Sequence, residues 1–375
     1  MKRIIKYAAV AFALILAASI IGGCLTAGVA VVRKLVEKTA DRETTEGGRT
    51  EAAENGLWHR DENGDIIFMG IRFGNNGAVK SGSEEFAGKE ISAMEIEGLS
   101  GELILEAWDG NTILVTYENI AEEYEIFQDG EVLKIQCDKG WLSINTSFNQ
   151  LPKIHVQVPA NQVLENVNVD KGSGSMKMTG ITADSIQVDS GSGSVNISEV
   201  SGEELAVESG SGSVKISGVA VKEFRVDSGS GSVTVEEVAA EKTVLDSGSG
   251  TVTVKNSSVG ETRVDTGSGF VNFEEVDARD CSVESGSGRV NFLGALTGEC
   301  KFDTSSGSVN LELYGEEEDY NIWADLGSGG LYINGDKVKD TDIEYDDAEN
   351  TLRFEAGSGR ISIKFQGARE TGETS

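Results

Sequence analysis

Histidine, proline, cysteine and basic residues are all scarce in this chain, and each shortage removes a class of reading. The two histidines, His59 and His155, stand far apart in 375 residues, so a histidine-based triad or zinc site has little support. Lys and Arg number 32 against 63 Asp and Glu. The resulting formal charge of −31 argues against nucleic acid as a partner, because a phosphate backbone needs clustered cations. Tryptophan and tyrosine are missing from residues 166–312 and gather on either side, at Trp108, Tyr117, Tyr124 and Trp141 and again from Tyr314 to Tyr345. Proline occurs only at Pro152 and Pro159, just before that stretch. Long apolar runs are absent except at 7–32, where 26 residues carry no charge.

What fills the gap is a repeat of 19 residues that runs without insertion over 169–311. A fixed period of this kind is the signature of a solenoid. Val169, Val188, Val207, Val226, Leu245, Val264, Val283 and Phe302 form one apolar column. A second runs from Met176 through Val195 and Val233 to Val309, and a third from Met178 through Ile197 and Val235 to Leu311. A fourth runs from Ile181 through Val238, Ser257 and Val276 to Ala295, and a fifth from Ile186 through Phe224 and Thr243 to Cys281 and Cys300. Between the second and third columns sit polar residues such as Asn196, Thr234, Asn272 and Asn310, which point outward when their neighbours point in. The pattern predicts an all-β fold, a parallel β-solenoid with 19-residue coils of two short strands and a brief third side. The glycines of each Gly-Ser-Gly turn are expected to supply positive φ.

At the ends the period loosens, as capping requires. The expected organisation is a basic start at 1–6, an apolar anchor at 7–32 and a polar stalk at 33–87. A cap with degenerate coils follows at 88–165, the regular solenoid at 166–312, irregular coils and a C-terminal cap at 313–366, and a tail at 367–375. The opening Ile96-Glu97-Gly98-Leu99-Ser100-Gly101-Glu102-Leu103-Ile104, the segment Ile154-His155-Val156-Gln157-Val158-Pro159 and the serial Ser-Gly-Ser-Val-x-Ile coils resemble the bacterial putative-adhesin family of β-strand (Gly-Ser-Gly) repeats, itself similar to the autotransporter adhesin head domain. The resemblance covers about 90–365 and implies a surface-exposed solenoid without established catalytic residues.

Residues 7–32 exceed the roughly 20 that a membrane-spanning helix needs, so one N-terminal transmembrane helix is expected. Ile21-Gly22-Gly23-Cys24 offers an alternative, lipidation at Cys24 after cleavage, although the apolar run continues past it. Basic residues flank both sides, and the export-like start together with the resemblance favours a single-pass protein of the cell membrane with its C-terminal bulk outside the cytoplasm.

The acidic residue after the first column is the best candidate for chemistry: Asp189, Glu208, Asp227, Asp246, Asp265 and Glu284. Unit charges stacked at strand spacing repel by about 0.9 kcal/mol per pair even in a water-like dielectric, so something offsets them. Turn amides and serine hydroxyls are one candidate; Ca²⁺ held between coils by oxygen ligands is the other. No further cofactor is expected. Cys281 and Cys300 are adjacent in their column, close enough for a disulfide and equally suited to buried thiols.

The reading reached is a membrane-anchored, extracytoplasmic solenoid acting as a surface adhesin or structural spacer, with a surface protein or glycan as its partner. An envelope sensor or regulator bound to a membrane protein is the alternative. A polysaccharide-active β-helix enzyme, which paired carboxylates would permit, is the lesser one, because the regular coils offer neither a cleft nor Trp and Tyr rings.

Overall fold

The computed structural model describes residues 79–137, 151–339 and 341–369, together with four short strands, Trp58–Arg60, Ile66–Phe68, Ile71–Gly74 and Ser143–Asn145. The expected transmembrane segment and Cys24 lie outside the described residues, and no described helix is long and apolar enough to cross a membrane. The four short strands form one sheet of a small unit, antiparallel from Trp58 to Gly74 and parallel between Ile71–Gly74 and Ser143–Asn145.

The larger unit is all-β and solenoid-like. Strands of successive coils pair in parallel with a register of 19: Val188 faces Val207, Val207 faces Val226, Val195 faces Val214 and Val214 faces Val233. Translation by one coil puts each residue in the environment of its predecessor, so an apolar column in sequence becomes a buried column in space. The first, second, third and fifth columns are buried throughout, including Phe224, Thr243, Cys281 and Cys300. Each fully buried Val or Ile contributes about 1.5–3 kcal/mol relative to exposure, which is how a thin core supports the stack.

The fourth column departs from strict period at one place. Val276 lies opposite Gly294 and not Ala295, because a bulge between Glu274 and Val276 moves the register by one; Ala295 is half-buried and Leu296 takes the inward place. Ser257, the polar member of this column, is buried with its hydroxyl satisfied on both sides, accepting from Val238 N and donating to Lys255 O.

The turn glycines differ from expectation in their reason. Among the repeated Gly-Ser-Gly turns only Gly174 and Gly193 have φ in the left-handed region, at 99° and 135°. The later coils keep glycine because the backbone of one turn lies directly against the next: a Cβ on Gly231 would collide with the carbonyl oxygen of Gly212. Left-handed φ sits instead at the corner after the third column, in Gly180, Glu199, Gly218, Glu237, Asn256 and Glu275, again 19 apart. Glutamate in that conformation is strained by about 1 kcal/mol. Glu237→Gly is therefore expected to raise stability by up to about 1 kcal/mol in a denaturant melt, less glycine's own entropy cost, while Val235→Gly two residues earlier lowers it.

Both ends stack their coils out of sequence order. The coil at 93–108 lies between the first regular coil, through Val169 facing Ile96, and a later segment, through Ile96 facing Ile135 and Leu103 facing Ile154. At the other end Cys300 and Phe302 pair with Leu352 and Phe354 of Asn350–Ala356, and the intervening Tyr320–Leu326 pairs on the far side of that strand. The C-terminal Asn350–Phe365 stretch is thus inserted between residues 299–313 and 320–333. Stacked rings of Phe302 and Phe354, 5.5 Å apart, mark the join. Tyr320 is buried against Phe365 and donates its hydroxyl to Leu296 O. Antiparallel strands Asp336–Val338 and Asp342–Ile343 cover the last coil, and Thr112–Ala121 with Val79–Ala87 cover the first. Residues 79–87, assigned to the stalk from sequence, belong to this cap, because pairing with Thr112–Ala121 protects what would otherwise be an open sheet edge.

Candidate functional site

Asp189, Glu208, Asp227, Asp246, Asp265 and Glu284 fall in register on one outer corner, each facing the next across adjacent coils. Alternation within the strand places the residue two positions earlier on the same face, and from Arg225 onward that residue is a cation in every second coil, Arg225, Arg263 and Lys301. Arg225 Nη2 lies 3.7 Å from Asp227 of its own coil and 3.1 Å from Asp246 of the next. Arg263 repeats the arrangement, 3.9 Å from Asp265 and 3.4 Å from Glu284. Further along, Lys301 reaches Glu355 at 2.8 Å. These are partly exposed ion pairs, worth about 0–1 kcal/mol each, the same size as the repulsion between neighbouring carboxylates. From Asp227 to Glu284 the offset therefore comes from guanidinium bridges, a signal present in sequence as the repeated Arg-Val-Asp of 225–227 and 263–265.

Burial lifts the Asp246 carboxyl above the ordinary range; Arg225 opposes the shift, and Asp227 and Asp265 add to it. The corner here forms a shallow, open depression bounded by Arg225, Asp246, Arg263 and the turn glycines. Turn hydroxyls do not serve the carboxylates. Ser247, Thr266, Ser285 and Thr304 are buried and accept from the glycine amides three residues on, Gly250, Gly269, Gly288 and Gly307. In earlier coils the equivalent Ser190, Ser209 and Ser228 hydroxyls are buried without a partner.

Among the described residues, no three His, Cys, Asp or Glu side chains gather as a metal ligand set. The ladder spaces its carboxylates along the stack, and Arg225 and Arg263 occupy the gaps between Asp227 and Asp246 and between Asp265 and Glu284. Millimolar Ca²⁺ is accordingly expected to leave the melting temperature unchanged; a saturable rise that Asp246→Asn abolishes would establish the calcium ladder.

His155 shares a hydrogen bond of 2.9 Å with Glu106, which also accepts from Gln157 at 3.3 Å; Thr116 lies opposite His155 in the neighbouring strand without a hydrogen bond to it. Cys281 and Cys300 are free thiols. Burial pushes the Cys281 thiol well up and that of Cys300 to about 11. A thiol probe at neutral pH is expected to label neither until the protein is denatured, whereas rapid labelling of either in the native state would contradict its burial.

The family model Toastrack DUF4097 matches residues 91–241 and 219–364. No curated protein matches the chain. Among solved structures, similarity is found to a putative adhesin from Parabacteroides distasonis, 15% identical, covering 76% of this chain and 98% of that one with a TM-score of 0.42. A putative lipid binding protein from the same organism is 16% identical, with coverage of 76% and 98% and a TM-score of 0.42. A putative adhesin from Parabacteroides merdae is 13% identical, with coverage of 77% and 97% and a TM-score of 0.41.

Proposed function

The chain belongs to the Toastrack DUF4097 family, and with that membership as premise we propose that it is a non-catalytic adhesin-type rod, held at the cell membrane through residues 7–32 and displayed outside the cytoplasm. One observation carries the reading. From Met176 to Leu311 successive coils hold their outward residues, most of them polar, in register columns, with only short turns between strands and no inserted loop to form a cleft. A surface of this kind offers the same weak contact many times, and linked weak contacts raise avidity without any single strong site. The sequence resemblance to adhesin repeats supports the same role, and the 26 uncharged residues at 7–32 support the anchor. The excess of acidic residues suits a rod that stays solvated and repels its neighbours.

The test is retention of the full-length chain, immobilised on beads, on intact cells or extracellular matrix. Retention that rises steeply with bead loading supports multivalent adhesion. Absence of retention, combined with specific co-purification of one membrane protein, would replace adhesion with regulation of that protein.

A further inference from the structure

On the outer face carried by the second and third columns, the row that holds Ser194, Ser213 and Ser232 is small in its first coils and changes character from Phe270 onward. Phe270, Arg289, Ser308 and Arg360 occupy four successive rungs of that row. Beside them run Asn272, Asn291, Asn310, Ser362 and Tyr332, also on successive rungs. The insertion of the C-terminal segment creates this patch, because Arg360 and Tyr332 reach it only through the inverted order of the last two coils.

Two features set it apart. Phe270 is 54% exposed, a large apolar ring facing outward from the middle of a polar sheet. Among the described side chains Arg225, Arg263, Arg279, Arg353 and Arg369 each hold a carboxylate, while Arg289 and Arg360 hold none. An exposed guanidinium finds a carboxylate easily on a chain of charge −31. The acids nearest the patch are already paired, Glu274 by Lys255 and by the Asn272 amide, and Glu312 by Lys364 and Gln366. Arg360 stacks 3.8 Å over the Tyr332 ring, which orients its fork and leaves its N–H groups without a protein acceptor.

The geometry points to this face as a binding site for a linear acidic polysaccharide that carries one carboxylate per disaccharide. The assignment deepens the adhesin reading and rests on it. Two rungs separate Arg289 from Arg360, about 10 Å at the usual strand spacing, so the two forks meet carboxylates on alternate sugars of an extended chain. Phe270 offers a ring for the apolar face of a pyranose. The amide ladder supplies both bonding types: Asn310 donates to Asn291 at 3.0 Å, which leaves the Asn310 carbonyl and the Asn291 amide nitrogen to bond sugar hydroxyls. A densely charged polymer such as a nucleic acid would meet the repulsion of the acidic chain at every residue. A sparse one meets two unpaired cations beside neutral side chains and acids already held by Lys255 and Lys364.

Hyaluronan oligosaccharide, titrated calorimetrically into the full-length chain, tests the assignment, with chitin oligosaccharide as the uncharged counterpart. The expected result is saturable binding that weakens with salt, falls at least tenfold in Arg289→Gln/Arg360→Gln and several-fold in Phe270→Ser, and persists in Lys222→Gln/Lys242→Gln, which removes two charges elsewhere. Chitin oligosaccharide should bind at least tenfold more weakly. All substituted positions are exposed, and an unchanged melting temperature verifies each fold. Absence of hyaluronan binding, equal affinity for chitin, unchanged affinity in the arginine variant, or equal affinity for polyglutamate or anionic vesicles would overturn it. The bead assay separates the two readings: retention of the arginine variant on cells would sink this face and spare adhesion. Hyaluronan binding by a chain that no cell retains would do the reverse.

Discussion

Gly231→Ala is expected to destabilise the solenoid by at least about 3 kcal/mol, a large loss for one added methyl group. The new Cβ would overlap the Gly212 carbonyl oxygen, and the same collision recurs between Gly250 and Gly231 and between Gly269 and Gly250. Backbone is on both sides of the contact, so no side chain can rotate away; the coils must part, and parting costs ladder hydrogen bonds in both neighbours. Gly218 provides the contrast. It has φ of 63°, but a Cβ there meets nothing closer than 3.6 Å, so Gly218→Ala should cost only the left-handed penalty of about 1–2 kcal/mol. Chemical denaturation of the two variants measures the difference. Equal losses would mean that φ, and not close approach, retains glycine in the turns.

Lys171→Met is expected to raise stability at pH 7 by about 2 kcal/mol. Lys171 stands where later coils place Ser190, Ser209 and Ser228, and its side chain is 1% exposed. The amine donates to Ser173 O at 2.7 Å, and burial pulls its pKa down to about 8 from 10.5. A shift of that size corresponds to about 3 kcal/mol, from which about 1 kcal/mol is subtracted for the lost hydrogen bond. The folded state prefers the neutral amine, so the penalty is complete below pH 8, diminishes as pH rises from 8 towards 10.5, and vanishes above the unfolded value. Melting temperatures of the two proteins should therefore converge over that window. Parallel curves from pH 7 to 10 would show that the amine is not held in an apolar environment.

These two residues show what could and could not be read from the chain. The glycine period was visible, but its purpose was mistaken, since a sequence shows that glycine recurs without showing whether φ or a neighbouring carbonyl demands it. Lys171 occupies a serine position and would pass for a surface substitution, because serine and lysine are both common surface residues and the sequence does not show that this position is interior in its own coil and in those of Ser190, Ser209 and Ser228. Arg225 and Arg263 were legible in principle, two residues before their acids on an alternating strand. The clustering of Phe270, Arg289, Arg360 and Tyr332 was not, because Arg289 and Arg360 are 71 residues apart.

The columns follow from the 19-residue period alone. Each residue of a 19-residue coil sees the environment of the residue 19 before it, so one pattern, repeated, specifies which side chains turn inward, and the apolar columns are buried accordingly. The order of the coils at the two ends does not follow from the period. Every terminal coil presents the same row of unpaired amides and carbonyls and the same apolar columns, so local pattern cannot say which segment stacks upon it. That choice is made by non-local packing, with Phe302 on Phe354, Tyr320 on Phe365 and Ile96 between Ile135 and Val169, and by the antiparallel strands that fit over the last exposed edges.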